Sequence, residues 1–136
     1  MVVRERTEKL AVELCGIPLE TPLIPASGTL SKEALGEVEG VYGAILPKTT
    51  TPAPRAGNPP PRVAETPAGM VNSIGLQNPG VERFIKELDA FDLGLPIFVS
   101  VAGDTVEEFG ALCERLSDDG RISGIELNLS LSLIHI

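Results

Sequence analysis

Residues 95–103 read Leu-Pro-Ile-Phe-Val-Ser-Val-Ala-Gly, a nearly continuous apolar run that ends in small residues. Such a run is typical of a strand buried on both faces of a parallel sheet. Asp104 follows at once as the expected N-cap, with Glu107 as its capping-box partner, and apolar residues then recur at helical spacing as far as Leu116. A further apolar segment at 124–130 completes a strand–helix–strand pattern. This stretch predicts a βα unit of a parallel sheet.

Two earlier segments, 22–27 and 43–49, have the same short aliphatic character. A helical stripe at 81–93 separates them from the strand at 95–103, and a shorter helix is expected at 31–38 with Ser31 as its N-cap. Strands that alternate with helices argue for consecutive βα units.

Two segments depart from this alternation. Residues 10–20 predict a small hairpin with Cys15 and Gly16 at its turn. Residues 47–67 hold seven of the 12 prolines in the chain, too many for regular structure. Long loops inside compact domains are usually functional or disordered, so this one is a candidate binding loop.

Composition limits the function classes. The chain has 136 residues, of which 43% are hydrophobic and 22% charged, as expected of one globular domain. A net charge of -8 argues against nucleic acid or an anionic membrane as partner. Cys15, Cys113 and His135 are too few and too scattered for a Cys/His metal site. The charged N-terminus and the absence of a long apolar run predict neither secretion nor membrane spanning, and we expect a cytoplasmic protein.

Polar residues lie at the carboxyl ends of the four predicted strands. In a parallel sheet these ends share one rim, which is where barrels and open sheets build their ligand sites. No GxGxxG or Walker motif is present, so an open nucleotide-binding fold loses its main support. The rim residues are Ser27, Lys48, Thr49, Ser100 and Asn128.

Lys48 admits three interpretations: a snorkelling surface residue, a Schiff-base nucleophile, or a fixed cation beside an anionic ligand. Asn128 is more informative, because a buried amide without a partner costs about 1 to 3 kcal/mol. We expect Asn128 to meet a ligand or another strand.

Residues 72–80 read Asn-Ser-Ile-Gly-Leu-Gln-Asn-Pro-Gly, a run of amides, a hydroxyl and glycines. Amides present both donors and acceptors, so the loop is suited to a flat, amide-edged ligand such as a pyrimidine. The alternative is a turn at 78–80 before a helix that opens at Val81. Arg55 and Arg62 in the preceding loop are expected to be solvated charges rather than braces.

Four stretches together resemble the catalytic subunit of class 1B dihydroorotate dehydrogenase, over residues 10–130. Their order and spacing match the family. They are Pro25-Ala-Ser-Gly-Thr29, Pro47-Lys-Thr-Thr50, Gly57-Asn-Pro59 running into Pro61-Arg-Val-Ala-Glu-Thr66, and Asn72-Ser-Ile-Gly-Leu-Gln-Asn-Pro-Gly80.

This resemblance implies a (β/α)8 TIM barrel that binds FMN at its carboxyl rim and oxidises dihydroorotate to orotate in pyrimidine biosynthesis. It also implies a partner subunit with FAD and an iron–sulfur cluster, NAD as electron acceptor, and a homodimer within a heterotetramer. The implied FMN contacts are Ala26, Ser27, Gly28, Lys48, Thr49, Ser100 and Asn128. The implied substrate contacts are Lys48, Asn72, Ser73, Ile74, Gly75, Leu76 and Asn128.

The chain departs from the family at two of these places. The family base is a cysteine just after the Asn-containing strand, and Leu131 at that position cannot accept a proton. Ser100 stands where the family commonly has an FMN-binding Asn, so that contact is expected to be weaker or bridged by water.

About 250 residues make a complete barrel, so we expect residues 1–130 to be its N-terminal half, about four βα units after the hairpin. We expect residues 131–136 to be a non-native tail that resembles a translated sequencing adaptor, which makes the chain an inactive fragment. In the alternative of a natural terminus, His135 is a candidate base. Two other functions stay open: a Schiff-base lyase barrel that uses Lys48, and a non-catalytic pyrimidine-binding module.

Overall fold

The computed structural model describes residues 10–29, 34 and 40–129. Strands and helices follow one another along the chain, with two antiparallel hairpins before a parallel pair. The elements are β1 (Val12–Leu14), β2 (Ile17–Leu19), β3 (Val63–Thr66), β4 (Gly69–Asn72), α1 (Val81–Lys86), a 3-10 helix (Leu88–Phe91), β5 (Ile97–Val101), α2 (Val106–Ser117) and β6 (Ile122–Leu127).

The predicted N-terminal hairpin is confirmed. β1 and β2 pair antiparallel, and Leu14 lies opposite Ile17. Cys15 and Gly16 between them both have positive φ, 53° and 81°. Two such residues form the tight hairpin turn whose twist matches that of the strands.

The parallel sheet prediction is confirmed for its later part. β5 and β6 pair in parallel, and two isolated parallel bridges, Ile45 with Ile97 and Thr50 with Val101, place the 43–49 segment on the other side of β5. Gly43 N donates to Leu23 O at 2.9 Å, which brings the 22–27 segment alongside in turn. The predicted strands therefore neighbour one another in chain order.

The first two of those segments are not regular strands, contrary to the prediction. Pro22, Pro25 and Pro47 lie within them, and proline has no backbone N–H to donate to a ladder. Pairing survives only where a donor is present, as at Ile45, whose N–H reaches Pro96 O at 2.9 Å.

The Pro-rich segment 47–67 was expected to lack regular structure, and that prediction is wrong at its end. β3 lies within it and pairs antiparallel with β4, with Thr66 opposite Gly69 and Pro67–Ala68 in the turn. Its last strand-breaking proline before the turn is Pro61, so the N–H groups of β3 remain available.

The first described helix begins at Val81, as expected, but ends earlier than predicted. The single helix predicted at 81–93 is instead α1 followed by the 3-10 helix. Glu87 N–H donates to both Arg83 O (3.1 Å) and Phe84 O (3.0 Å), a shared bond that tightens the chain into 3-10 geometry. The helix predicted at 31–38 lies outside the described residues, apart from position 34.

The N-cap of α2 is Thr105, not Asp104. Its hydroxyl accepts from Glu108 N at 3.2 Å, and Glu108 Oε2 accepts from Asp104 N at 2.6 Å. The N-cap therefore lies one residue later than predicted, with Glu108 in the place expected of Glu107, and the carboxylate of Glu108 accepts from the residue before the N-cap.

The core lies between β5 and the helices. Alternate residues of β5, namely Ile97, Val99 and Val101, point toward it, and the latter two are fully buried. The other members are Ile45, Val81, Phe84, Leu88, Phe91, Leu112 and Leu116. This packing leaves the opposite face of β5, which carries Ser100, for the candidate site.

The described residues thus form an α/β arrangement with parallel pairing, and no closed barrel is present among them. In the same part of the chain, no helix is long and apolar enough to cross a membrane.

Candidate active site

A one-residue irregularity between Ile45 and Thr50 changes which side chains face the site. Five steps along the chain separate Ile45 from Thr50, whereas four separate their bridge partners Ile97 and Val101. The extra residue is a bulge-like feature, and bulges re-aim side chains next to functional sites. It turns Thr49 toward the face of β5 that carries Ser100.

Three predicted rim residues meet through hydrogen bonds. Thr49 Oγ1 lies 2.9 Å from Ser100 Oγ, and each residue is 1% exposed. Asn128 Nδ2 donates to Thr49 Oγ1 at 3.4 Å, while Asn128 N–H donates to Val101 O at 2.9 Å. The expectation that Asn128 meets another strand is confirmed. These contacts join the ends of three neighbouring segments.

Lys48 and Gly28 form a second contact of the rim. A Cβ on Gly28 would lie 2.6 Å from Lys48 Cδ and 3.3 Å from Nζ, so the lysine side chain packs directly over the glycine. Gly28 has φ +75°, a conformation that favours glycine. Ala26 O accepts from Thr29 N at 3.1 Å and from Thr29 Oγ1 at 2.6 Å, which closes the turn that carries Ser27 and Gly28.

The amide-rich loop is held at its start by Asn58. Asn58 Nδ2 donates to Ser73 O at 3.0 Å and to Ser73 Oγ at 2.7 Å, and Asn58 N–H donates to Ile74 O at 3.0 Å. Gly75 at φ +77° lies against Asn58, since a Cβ there would be 2.8 Å from both its N and its Oδ1. Leu76 also has a positive φ, 53°.

Asn78 holds the end of the same loop. Its Oδ1 accepts from Thr51 N (3.2 Å) and Gly80 N (2.8 Å), and its Nδ2 donates to Leu76 O (2.7 Å) and Thr51 Oγ1 (2.9 Å). At 7% exposure this amide is satisfied internally. The turn at 78–80 is confirmed, because α1 opens at Val81.

Thr51 and Asn78 form a linked pair that the sequence did not predict. Together they connect the Lys48–Thr49 segment to the amide-rich loop, and Val81 N–H adds a bond to Thr51 O at 2.9 Å. The sequence signal was an Asn-Pro-Gly turn together with three consecutive threonines, all of which prove buried. Among the described residues, the buried Thr50 Oγ1 has no hydrogen-bond partner.

The two loop arginines are braces, not the free solvated charges we expected. Arg55 Nη2 pairs with Asp104 Oδ2 at 2.5 Å, which ties the Pro-rich loop to the loop after β5. Arg62 donates to Gln77 Oε1 at 2.5 Å and to Asn58 O at 3.4 Å. Ser73 N–H also donates to Arg62 O at 2.8 Å. These contacts stiffen the loop from outside.

The structure groups the predicted site residues into two clusters. One contains Lys48, Thr49 and the residues around them; the other is the loop from Asn72, where β4 ends, to Leu76. Within the described part of the chain, the hydrogen bonds of that loop run to Asn58, Arg62 and Asn78, and the Thr51–Asn78 link joins the clusters. Ser130 and Leu131 lie outside the described residues.

Comparison with known proteins identifies the family to which the chain is similar. A model of the dihydroorotate dehydrogenase family matches residues 9–132. The chain is 45% identical over 132 residues to the dihydroorotate dehydrogenase B (NAD(+)) catalytic subunit of Desulforudis audaxviator (strain MP104C) and 46% identical over 129 residues to that of Geobacillus kaustophilus (strain HTA426). Each match covers 90% of this chain and 41% of the relative.

A solved structure of dihydroorotate dehydrogenase from Eimeria tenella, in complex with ferulenol, is also similar. The TM-score is 0.69 at 25% sequence identity, over 93% of this chain and 38% of that one. The chain thus spans about two fifths of the length of the relatives it matches. Since the family model covers residues 9–132 of this 136-residue sequence, the chain belongs to the dihydroorotate dehydrogenase family.

Proposed function

We propose that this chain supplies the N-terminal half of a class 1B dihydroorotate dehydrogenase barrel, in which FMN oxidises dihydroorotate to orotate. The observation that carries the proposal is the hydrogen-bonded cluster of Thr49, Ser100 and Asn128 with Lys48 adjacent in the chain. These residues end neighbouring parallel-paired segments, and that rim is where barrel enzymes place their chemistry. The half-barrel proposal also draws support from the order 22–27, 43–49, β5, β6.

The residues present fit a flavin. Gly28 has no Cβ, which lets the Lys48 side chain lie directly against this turn at the rim. Lys48 is exposed, and its ammonium supplies positive charge for an electron-rich ring system. Thr49, Ser100 and Asn128 add hydroxyl and amide groups, while Ala26 and Ser27 add backbone from the turn. When bound, FMN supplies the oxidising chemistry for the C–C bond.

The proposed pyrimidine site is the loop from Asn72 to Leu76. Asn72 is exposed, so its amide is available to the carbonyl and N–H edges of a pyrimidine. Lys48 holds a substrate carboxylate by charge, and Asn128 lies at the junction of the flavin and substrate sites. Leu131 offers no general base, so we propose that the chain as it stands does not oxidise dihydroorotate.

The partners follow from the relatives. Their names describe a catalytic subunit, which supports a separate partner subunit. We propose that this partner carries FAD and an iron–sulfur cluster, that NAD is the final acceptor, and that the assembly is a heterotetramer built on a homodimer. A cytoplasmic location stays a prediction.

The test is a hybrid protein in which residues 1–130 replace the matching part of the Geobacillus kaustophilus relative. We expect the purified hybrid to retain FMN and form orotate, and a Lys48→Met variant to lose most of that activity. Borohydride trapping with a carbonyl substrate separates the flavin enzyme from a Schiff-base lyase, since only the lyase forms an adduct on Lys48. A folded, colourless hybrid that forms this adduct contradicts the proposal.

A further inference from the structure

We propose that Asn58 is a positioning residue for the pyrimidine loop, one that fixes residues 73–76 without itself touching the substrate. The inference rests on the proposed function of that loop. Asn58 lies in the Pro-rich segment, 15 residues before Ser73, and belongs to neither cluster of predicted site residues.

Asn58 makes three hydrogen bonds to two consecutive loop residues. Two come from its side-chain amide, to Ser73 O and Ser73 Oγ, and one from its backbone, to Ile74 O. The Asn58 side chain is long enough to bring one NH2 group within reach of both Ser73 acceptors, at 3.0 and 2.7 Å. Gly75 completes the fit, because any Cβ there would collide with Asn58.

The contact with the Ser73 hydroxyl has a chemical consequence. Because Ser73 Oγ accepts a hydrogen bond from Asn58 Nδ2, its own proton remains free to donate. Ser73 is exposed at this position, so the hydroxyl is available to a ligand. Asn58 therefore presents Ser73 as a donor toward an oxygen acceptor, such as a carboxylate or ring carbonyl of a pyrimidine acid.

Loop position bears on substrate affinity more than on the chemical step. The proposed flavin site does not depend on Asn58. Lys48 packs against Gly28, and Thr49 is held by Ser100 and Asn128. Loosening the loop lowers the population of the binding-competent arrangement, which weakens apparent affinity in proportion. A residue that acts in this way changes KM while leaving kcat nearly constant.

Asn58→Asp tests the proposal in the FMN-loaded hybrid protein. The substitution keeps size but replaces the NH2 donor with an acceptor that repels Ser73 O. Ala56→Asp is the matched control, since it places the same charge on an exposed residue of the same loop. Steady-state kinetics with dihydroorotate, orotate binding followed by the flavin spectrum, and amide hydrogen exchange are compared between the two variants.

We expect Asn58→Asp to raise KM for dihydroorotate and the Kd for orotate about tenfold, equivalent to about 1.4 kcal/mol. We expect kcat to change by less than about twofold and FMN retention to be unchanged. Exchange of the Asn58 and Ser73 amides, which donate to Ile74 O and Arg62 O, should accelerate. Ala56→Asp should leave all these quantities near the parent values.

Faster amide exchange with unchanged KM and Kd makes Asn58 purely structural and overturns the proposal. So does a fall in kcat at constant KM. If Asn58→Asp does not fold, Asn58→Ala, which removes both side-chain bonds to Ser73 but keeps the backbone bond to Ile74 O, must raise KM on its own; an unchanged KM overturns the proposal. A different result would contradict the proposed function itself. This is a folded parent hybrid that binds FMN but whose flavin is not reduced by dihydroorotate, and the inference about Asn58 would then fail as well.

Discussion

The hydroxyl of Thr49 lies 2.9 Å from that of Ser100, and both side chains are buried at the carboxyl end of the parallel-paired segments. The contact exists because one extra residue between Ile45 and Thr50 brings Thr49 onto the face of Ser100. Thr49 Oγ1 also accepts from Asn128. One hydroxyl therefore connects three segments of the rim, so it is a natural place to test how the rim is held.

Thr49→Val removes that hydroxyl and keeps the shape of the side chain. Ser100 Oγ and Asn128 Nδ2 then lose their shared partner, which should lower the free energy of unfolding by about 1 to 2 kcal/mol. Urea unfolding measures this loss, and the same variant of the hybrid should retain less FMN. Unchanged stability and unchanged FMN retention would show that this contact does not hold the rim together.

Gly28→Ala separates backbone strain from contact with Lys48. Gly28 and Gly40 have nearly equal φ, +75° and +76°, but only at Gly28 does an added Cβ meet another side chain, that of Lys48. Both alanine variants should lose about 1 kcal/mol of stability from positive φ. Only Gly28→Ala should weaken flavin binding in the hybrid, because only there must Lys48 move. Equal flavin affinities in the two variants would contradict the proposed role of this turn.

Asn78→Ala should be among the most destabilising polar substitutions in the described chain. It leaves the buried Thr51 N–H and Gly80 N–H without their acceptor, at an expected total cost of about 3 kcal/mol. Gln77→Ala, at the exposed neighbouring amide, should cost about 0.5 kcal/mol or less. Chemical denaturation measures the stability of both variants, and similar losses would argue against the role of Asn78 in holding Thr51 and Gly80.

Asp119 gives the fold a pH dependence. Hydrogen bonds from Arg121 lower the pKa of Asp119 from 3.8 to about 2. Because the folded pKa is the lower one, this stabilisation is complete above the unfolded pKa and disappears as pH falls through the folded value. Asp119→Asn should cost about 1 kcal/mol at neutral pH. The gap from the parent should close between pH 3.8 and about 2. Asp118→Asn is the control, and a gap that does not narrow as the pH falls from 3.8 to about 2 would contradict this origin.

Local chemistry explains which parts of the fold were predictable. The Cys15–Gly16 turn and the start of α1 at Val81 depend on a few neighbouring residues, and both were found. The cap of α2 was misplaced by one residue because Asp104 and Thr105 are both good N-caps, and each has a glutamate three positions later. N-cap propensity alone does not distinguish Asp104 from Thr105.

The missed features depend on residues far apart in the chain. The β3–β4 hairpin was hidden by the proline count, although the chain beyond Pro61 is free to pair. Asn58 with Ser73, and Thr51 with Asn78, are separated by 15 and 27 residues. The residue types predicted which side chains lie at the rim. The hydrogen bonds that hold them arise only when the segments fold together.

Flavin reduction by dihydroorotate tests most directly whether this chain contributes to a site for FMN and dihydroorotate. Oxygen-free titration is performed on two hybrids that differ only at residue 131, one with the Leu131 of this chain and one with Leu131→Cys. We predict that both bind FMN and that dihydroorotate bleaches the flavin rapidly only when residue 131 is cysteine. Two results would contradict this prediction: a folded cysteine hybrid that binds no flavin, or one in which the flavin stays oxidised after dihydroorotate is added.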